Sequence, residues 1–285
     1  MKVGFIGLGK MGGALARNLI RTGHNTIVYD INKDAIEEIL IVGGEGSDDP
    51  RELAAQVDIL FTSLPLPVHL TDLLINKEAV LDYMKEDSIL IDVSTIDPKT
   101  GYEINNAAEK RGINFLACPL GKGPAQAEEG IQPIYVGGKQ EVFLEVEEVL
   151  NKISTSVTYL GDVGQATAFK LISNLIGMTN VLVLAEGLRL GEKAGIEQSL
   201  LQSLLAETGA DSYQLTLRGP MIKESNFEPK FSIDLALKDI NLGVSMAEEL
   251  KQISPFSTLA SEYYSNAQKS GYGDEDCAAV YKIFE

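Results

Sequence analysis

Short apolar runs alternate with longer amphipathic stretches over the first 160 residues. The runs at 2–6, 26–29, 59–63, 88–93, 114–118 and 133–136 are rich in Val, Ile, Leu and Phe, and are short enough for strands. Between them, at 11–21, 33–40, 99–111 and 140–152, apolar residues recur with helical spacing. Strand alternating with helix predicts an α/β fold: a doubly wound parallel sheet with helices on both faces. The runs lack a polar alternate face, as expected for a sheet buried on both sides.

The pattern changes after Tyr159. One long helix is predicted over 163–194, then helices near 197–207, 233–250 and 255–270, with no further strand. The glycines of Gly161-Asp162-Val163-Gly164 mark the boundary. The expected division is a domain at 1–160 and an all-helical domain at 161–285, joined by the long helix. Its most apolar part, 171–184, is interrupted by Ser173, Asn174, Thr179 and Asn180, and reads as too short and too polar to span a bilayer.

Composition narrows the classes. Hydrophobic residues at 45% and charged residues at 23% argue against disorder. With 24 basic and 41 acidic residues the formal charge is −17, which repels a phosphate backbone and argues against a nucleic acid partner. Cys118 and Cys277 alone build neither a disulfide framework nor a zinc set, which fits a reducing compartment. Residues 1–13 show no charged leader or cleavage site. The expectation is a cytoplasmic protein with no membrane partner and no metal.

Gly7-Leu8-Gly9-Lys10-Met11-Gly12 follows the first predicted strand and opens the first predicted helix. Gly7 permits the tight turn, Gly9 lets a pyrophosphate approach the backbone, and Gly12 lets the helix pack on the strand. The helix N-terminus offers N–H groups and a positive dipole end to the phosphates. Asp30, 18 residues beyond Gly12, ends the second predicted strand. A carboxylate there binds ribose hydroxyls and repels a 2′-phosphate, which points to NAD, with NADP as the alternative because Lys33 is near.

Further motifs follow in order: Leu64-Pro65, Asp92-Val93-Ser94-Thr95, Gly164-Gln165-Ala166-Thr167-Ala168-Phe169-Lys170-Leu171-Ile172-Ser173-Asn174, and Phe231-Ser232-Ile233-Asp234-Leu235-Ala236-Leu237-Lys238-Asp239. With the glycine loop they make the chain similar, over almost its whole length, to the β-hydroxyacid dehydrogenase family, the group of 3-hydroxyisobutyrate dehydrogenase and tartronate semialdehyde reductase. The resemblance implies an oxidoreductase that moves a hydride between a nicotinamide cofactor and a small anionic hydroxy acid or its aldehyde, in a homodimer or homotetramer. It makes Lys170 the catalytic lysine, a proton donor in reduction and a base in oxidation. Asn174, four residues on, shares its helix face and orients the reacting group. Leu64, Pro65 and Lys238 fall on the cofactor side, Ser94 on the substrate side, and Thr95 on both.

The substrate motif departs from the family pattern. Where Asp-Ala-Pro-Val-Ser-Gly-Gly is usual, this chain has Ala117-Cys118-Pro119-Leu120-Gly121-Lys122-Gly123. Gly121 replaces a serine that helps hold the substrate carboxylate, and Lys122 brings a cation to the expected headgroup position. The arrangement resembles the 3-sulfolactaldehyde reductase branch. A compact ammonium suits a sulfonate, phosphate or carboxylate. Two other functions stay open: an imine reductase-like enzyme, against which Lys170 counts, and a non-catalytic dinucleotide sensor. A 6-phosphogluconate-type decarboxylase needs a larger helical domain.

Overall fold

The computed structural model describes residues 1–284; Glu285 lies outside the described residues. In chain order the first unit contains β1 (Val3–Ile6), α1 (Lys10–Arg21), β2 (Thr26–Tyr29), α2 (Lys33–Ile41), β3 (Glu45–Gly46) and α3 (Pro50–Ala54). It continues with β4 (Ile59–Thr62), α4 (Pro67–Thr71), β5 (Ile89–Asp92), α5 (Pro98–Glu109), β6 (Asn114–Ala117), α6 (Pro124–Glu128), β7 (Pro133–Gly138), α7 (Gln140–Ile153) and β8 (Ser156–Gly161). Helix α8 (Val163–Lys193) leads into α9 (Gln198–Ala206), α10 (Tyr213–Lys223), α11 (Ile233–Glu249) and α12 (Pro255–Ala267). The chain forms two compact units, 1–170 and from Leu171 onward.

The eight strands lie in the order β3-β2-β1-β4-β5-β6-β7-β8. From β3 to β6 all neighbours are parallel, with register such as Val3 against Thr26 and Ile59. Strands β1, β4 and β5 are buried at every position, so each face of the sheet supports its own core. Phe5, Leu15, Leu19, Phe61 and Ile91 belong to one, and Leu53, Leu60, Leu70, Leu90 and Ile104 to the other.

The sheet is not wholly parallel. Strand β7 runs antiparallel to β6, and β8 is parallel to β7. The reason lies in the connection. A parallel crossover needs a substantial helix, whereas α6 has five residues, and the chain turns back on itself. Strand β8 was not expected from sequence: it is an edge strand whose Ser156 and Thr158 face solvent. Helix α10 was also not expected, because Gly219 and Pro220 lie inside it and both disfavour a helix interior.

Helix α8 corrects the expectation drawn from 171–184. Its 31 residues include an 18-residue window of mean hydropathy 1.6, so by length and composition alone it could cross a membrane. One face packs into the second unit's core, where Met178, Val181, Leu182, Ala185 and Leu188 join Ile233, Ile240, Tyr264 and Val280. Another leaves Ile172, Ile176, Val183 and Leu190 exposed.

Candidate active site

Backbone crowding explains two of the loop glycines. Gly7 has φ +94, and a Cβ there would come within 2.2 Å of the Ser63 carbonyl oxygen. A Cβ on Gly12 would come within 1.9 Å of the Gly7 carbonyl oxygen. At Gly9 a Cβ would meet nothing within 4 Å, so nothing in the protein's own packing demands glycine there. The bare backbone at Gly9 suits a ligand that must approach closely. Gly9 caps α1, which has no side-chain cap and no acidic residue in its first turn. Its first N–H groups and dipole end therefore suit an anion, with no acidic residue in the helix's own first turn, and the exposed Lys10 adds positive charge. Met11 is half-buried against the core. These residues fit the pyrophosphate of a dinucleotide.

Asp30 is oriented by the same loop. Its Oδ2 accepts from the Leu8 N–H at 2.6 Å and its Oδ1 from the Asn32 N–H at 2.7 Å. A carboxylate has acceptor capacity beyond two bonds, which leaves room for ribose hydroxyls. Lys33 pairs instead with Asp48, and that hydrogen bond raises the lysine above its ordinary range.

One buried carboxylate ties the ends of β4 and β5 together. Asp92 Oδ1 accepts from the Thr62 hydroxyl at 2.8 Å and the Ser94 hydroxyl at 2.6 Å. The Ser94 oxygen in turn accepts from the Leu64 N–H at 2.9 Å. Ser94 is buried, and these two bonds commit its hydroxyl to positioning Leu64. What the 94–95 segment offers a ligand is its backbone and the half-buried Thr95. Leu64 packs beside Gly7, and Pro65 is exposed at the lip. Cys118 is fully buried, and burial, with the Asp92 charge in support, pushes its thiol up, so it is no nucleophile.

The turn after β6 carries Gly121, Lys122 and Gly123. It is pinned to β7 by the Gly121 N–H on the Pro133 carbonyl at 2.8 Å and by the Tyr135 N–H on the Pro119 carbonyl at 3.1 Å. Lys122 is exposed at φ +59, in the left-handed region. Gly123 begins α6, and its N–H donates to Gln126 Oε1 at 3.3 Å. Helix α6 is clamped onto α1: the Asn18 amide donates to the Ala127 carbonyl at 2.6 Å, and Glu128 pairs with Arg17 and Arg21, each at 2.7 Å. The Arg17 hydrogen bonds, helped by Arg21, hold the Glu128 carboxyl below its ordinary range. The clamp joins the 121–123 turn to the phosphate-loop helix.

Lys170, half-buried, follows Phe169 on α8. The Phe169 ring lies against Tyr135 at 4.5 Å between centroids, which brings the 121–123 turn, β7 and the start of α8 into one region of the first unit. In the second unit the Asn174 amide nitrogen donates to Asp239 Oδ2 at 2.6 Å, while the Lys238 ammonium sits 2.7 Å from Asp239 Oδ1. With its nitrogen committed, Asn174 keeps Oδ1 as an acceptor. Lys238 is largely buried and Asp239 almost wholly so. Arg17, Glu128 and Tyr135 were not picked out from sequence as site-building residues, and Asp92 was quoted only within its motif, without a role of its own. The one signal was for Asp92, a carboxylate closing an otherwise apolar strand.

Residues 2–161 match the family described as the NAD binding domain of 6-phosphogluconate dehydrogenase. Residues 164–284 match the family described as NAD-binding of NADP-dependent 3-hydroxyisobutyrate dehydrogenase. The chain is 29% identical to 2-(hydroxymethyl)glutarate dehydrogenase of Eubacterium barkeri, over 100% of this chain and 95% of that protein. It is 30% identical to the mitochondrial 3-hydroxyisobutyrate dehydrogenase of Bos taurus, over 99% of this chain and 86% of that protein. The crystal structure of a 3-hydroxyisobutyrate dehydrogenase from Salmonella typhimurium superposes with a TM-score of 0.91 at 27% identity, covering 100% of both chains. The chain therefore belongs to the β-hydroxyacid dehydrogenase family, of the 3-hydroxyisobutyrate dehydrogenase type, and is an NAD(P)-dependent 3-hydroxyacid dehydrogenase acting on a CH–OH group.

Proposed function

We propose that this chain interconverts a small 3-hydroxy acid and its semialdehyde with NAD as the preferred carrier, and that Lys122 reads the acidic headgroup of the substrate. The carrying observation is Lys122 itself. An exposed lysine holds a left-handed backbone position between two glycines, where a side chain costs roughly 1 kcal/mol that glycine would not. A three-donor ammonium there matches a sulfonate, phosphate or carboxylate, and 3-sulfolactaldehyde is the first substrate to try.

The bound nicotinamide supplies or receives the hydride. Lys170 gives a proton to the carbonyl oxygen in reduction and takes one from the hydroxyl in oxidation. Asp239 holds the Asn174 amide through its nitrogen, which leaves Oδ1 to accept from the substrate hydroxyl. The charge of Asp30 disfavours a 2′-phosphate, and the pairing of Lys33 with Asp48 leaves that disfavour uncompensated. The exposed residues Ile176, Val183 and Leu190 recur every seven positions along α8, which supports burial of this stripe against a second copy of the chain.

The test offers 3-sulfolactaldehyde, succinic semialdehyde, tartronate semialdehyde and methylmalonate semialdehyde to purified protein with NADH and with NADPH. The expected result is NADH oxidation with at least one of them, and a KM raised roughly tenfold or more by Lys122→Ala. An unchanged KM in that variant contradicts the headgroup assignment. No oxidation with any of the four contradicts the semialdehyde reading.

A further inference from the structure

We propose that the Tyr135 hydroxyl is a second hydrogen-bond donor to the substrate's acidic headgroup, bordering the space that a side chain at position 121 would take. The inference rests on the semialdehyde reading above and assigns a specificity-determining residue to it.

Gly121 faces the hydroxyl end of the Tyr135 side chain. A Cβ there would lie 3.1 Å from Tyr135 Oη and 3.2 and 3.3 Å from the Pro133 ring, closer than ordinary van der Waals contact. The phenol therefore borders the side-chain space of residue 121, and a side chain there would have to displace it by a few tenths of an ångström. The backbone hydrogen bonds between 119–121 and 133–135, with the Leu120–Ile134 bridge, fix this register. The Tyr135 ring packs tilted against Phe169, directly before Lys170. The hydroxyl thus belongs to a rigid part of the first unit, between the turn that carries Lys122 and the helix that carries Lys170.

Packing accounts for the ring but not for its hydroxyl. The ring contact with Phe169 is apolar, and a phenylalanine would supply it equally well. The polar tip is directed at the glycine turn. A phenol is neutral at neutral pH and donates one short hydrogen bond to an anionic oxygen. Lys122 contributes charge from an exposed, adaptable side chain, and Tyr135 contributes direction from a fixed one. Together they suit an acid group with at least two free oxygens.

The test compares wild type, Tyr135→Phe, and Tyr135→Phe combined with Gly121→Ser. The second change returns a hydroxyl to the space the first one frees. Each is assayed with NADH and the best semialdehyde of the panel, and with the same compound as its uncharged amide; NADH affinity is measured separately as a control on folding. Tyr135→Phe is expected to raise KM for the acid roughly tenfold, with a smaller effect on kcat and little change for the amide. The double variant is expected to recover most of that loss. An unchanged KM in Tyr135→Phe overturns the proposal, as does an equal change for acid and amide, which would mark a packing effect. Wild-type turnover with an unmoved KM defeats this inference alone. No wild-type turnover on any semialdehyde defeats the functional reading and this inference with it.

Discussion

Asp30 is held by two backbone N–H groups, one from the glycine loop and one from the start of the next turn. A side chain so fixed would offer its remaining acceptor capacity to a ribose with little entropy left to lose. Asp30→Ala is expected to weaken NADH binding roughly tenfold and NADPH binding less, so that the preference narrows; fluorescence titration with both cofactors checks it. The positions that read clearly from sequence are those whose reason is local. Gly7 and Gly12 follow from the turn between strand and helix, and Asp30 from its place at a strand end. The positions that did not read clearly owe their roles to distant partners. Asp92 meets Thr62 across 30 residues, Glu128 meets Arg17 across 111, and Tyr135 meets Gly121 only because β7 turns back along the 119–121 segment.

Elements with a full apolar face were legible: β1, β2, β4, β5 and β6 were expected within a residue or so of their ends, as was α8. Edge strands and short helices were not, since β8 alternates weakly and α6 has a single turn. Yet α6 carries the contacts that hold the end of the 121–123 turn against α1. The folded Glu128 carboxyl is depressed, so its contribution to stability is present above the unfolded carboxyl value of about 4.3 and is lost as pH falls through the lower folded value. The melting-temperature gap between wild type and Glu128→Gln should be widest above about pH 5 and close progressively below about pH 4. The exposed stripe on α8 gives a second expectation at this scale. If the stripe seats a second copy as proposed, Ile176→Glu with Val183→Glu should lower the mass to that of a monomer in light scattering while the protein still binds NADH. An unchanged mass would mean that the stripe lies outside the subunit interface.

At the scale of the whole molecule, a buried ion pair ties together several segments of the second unit. Arg218 Nε lies 3.0 Å from Asp276 Oδ1, and both side chains are almost wholly inaccessible. Asp276 also accepts from the N–H groups of Lys230, Phe231 and Ala278, so it joins α10, the approach to α11 and the C-terminal 3-10 segment Cys277–Phe284. Removing it strands a buried guanidinium: Asp276→Ala should cost about 3–5 kcal/mol in denaturant unfolding. The two-part architecture was plain in the sequence because the period of apolar residues changes near Tyr159; the compact units meet eleven residues later, inside α8, after Lys170. One continuous helix thus bears Lys170 at the end of the first unit and Asn174 at the start of the second. The proposed role of Lys170 is to handle the proton of a hydride transfer. It is tested most directly by measuring NADH oxidation with the preferred semialdehyde in wild type and in Lys170→Ala, with NADH binding measured on the same samples. A loss of roughly 100-fold to 10,000-fold in kcat with NADH affinity retained is the predicted result; turnover close to wild type would contradict it.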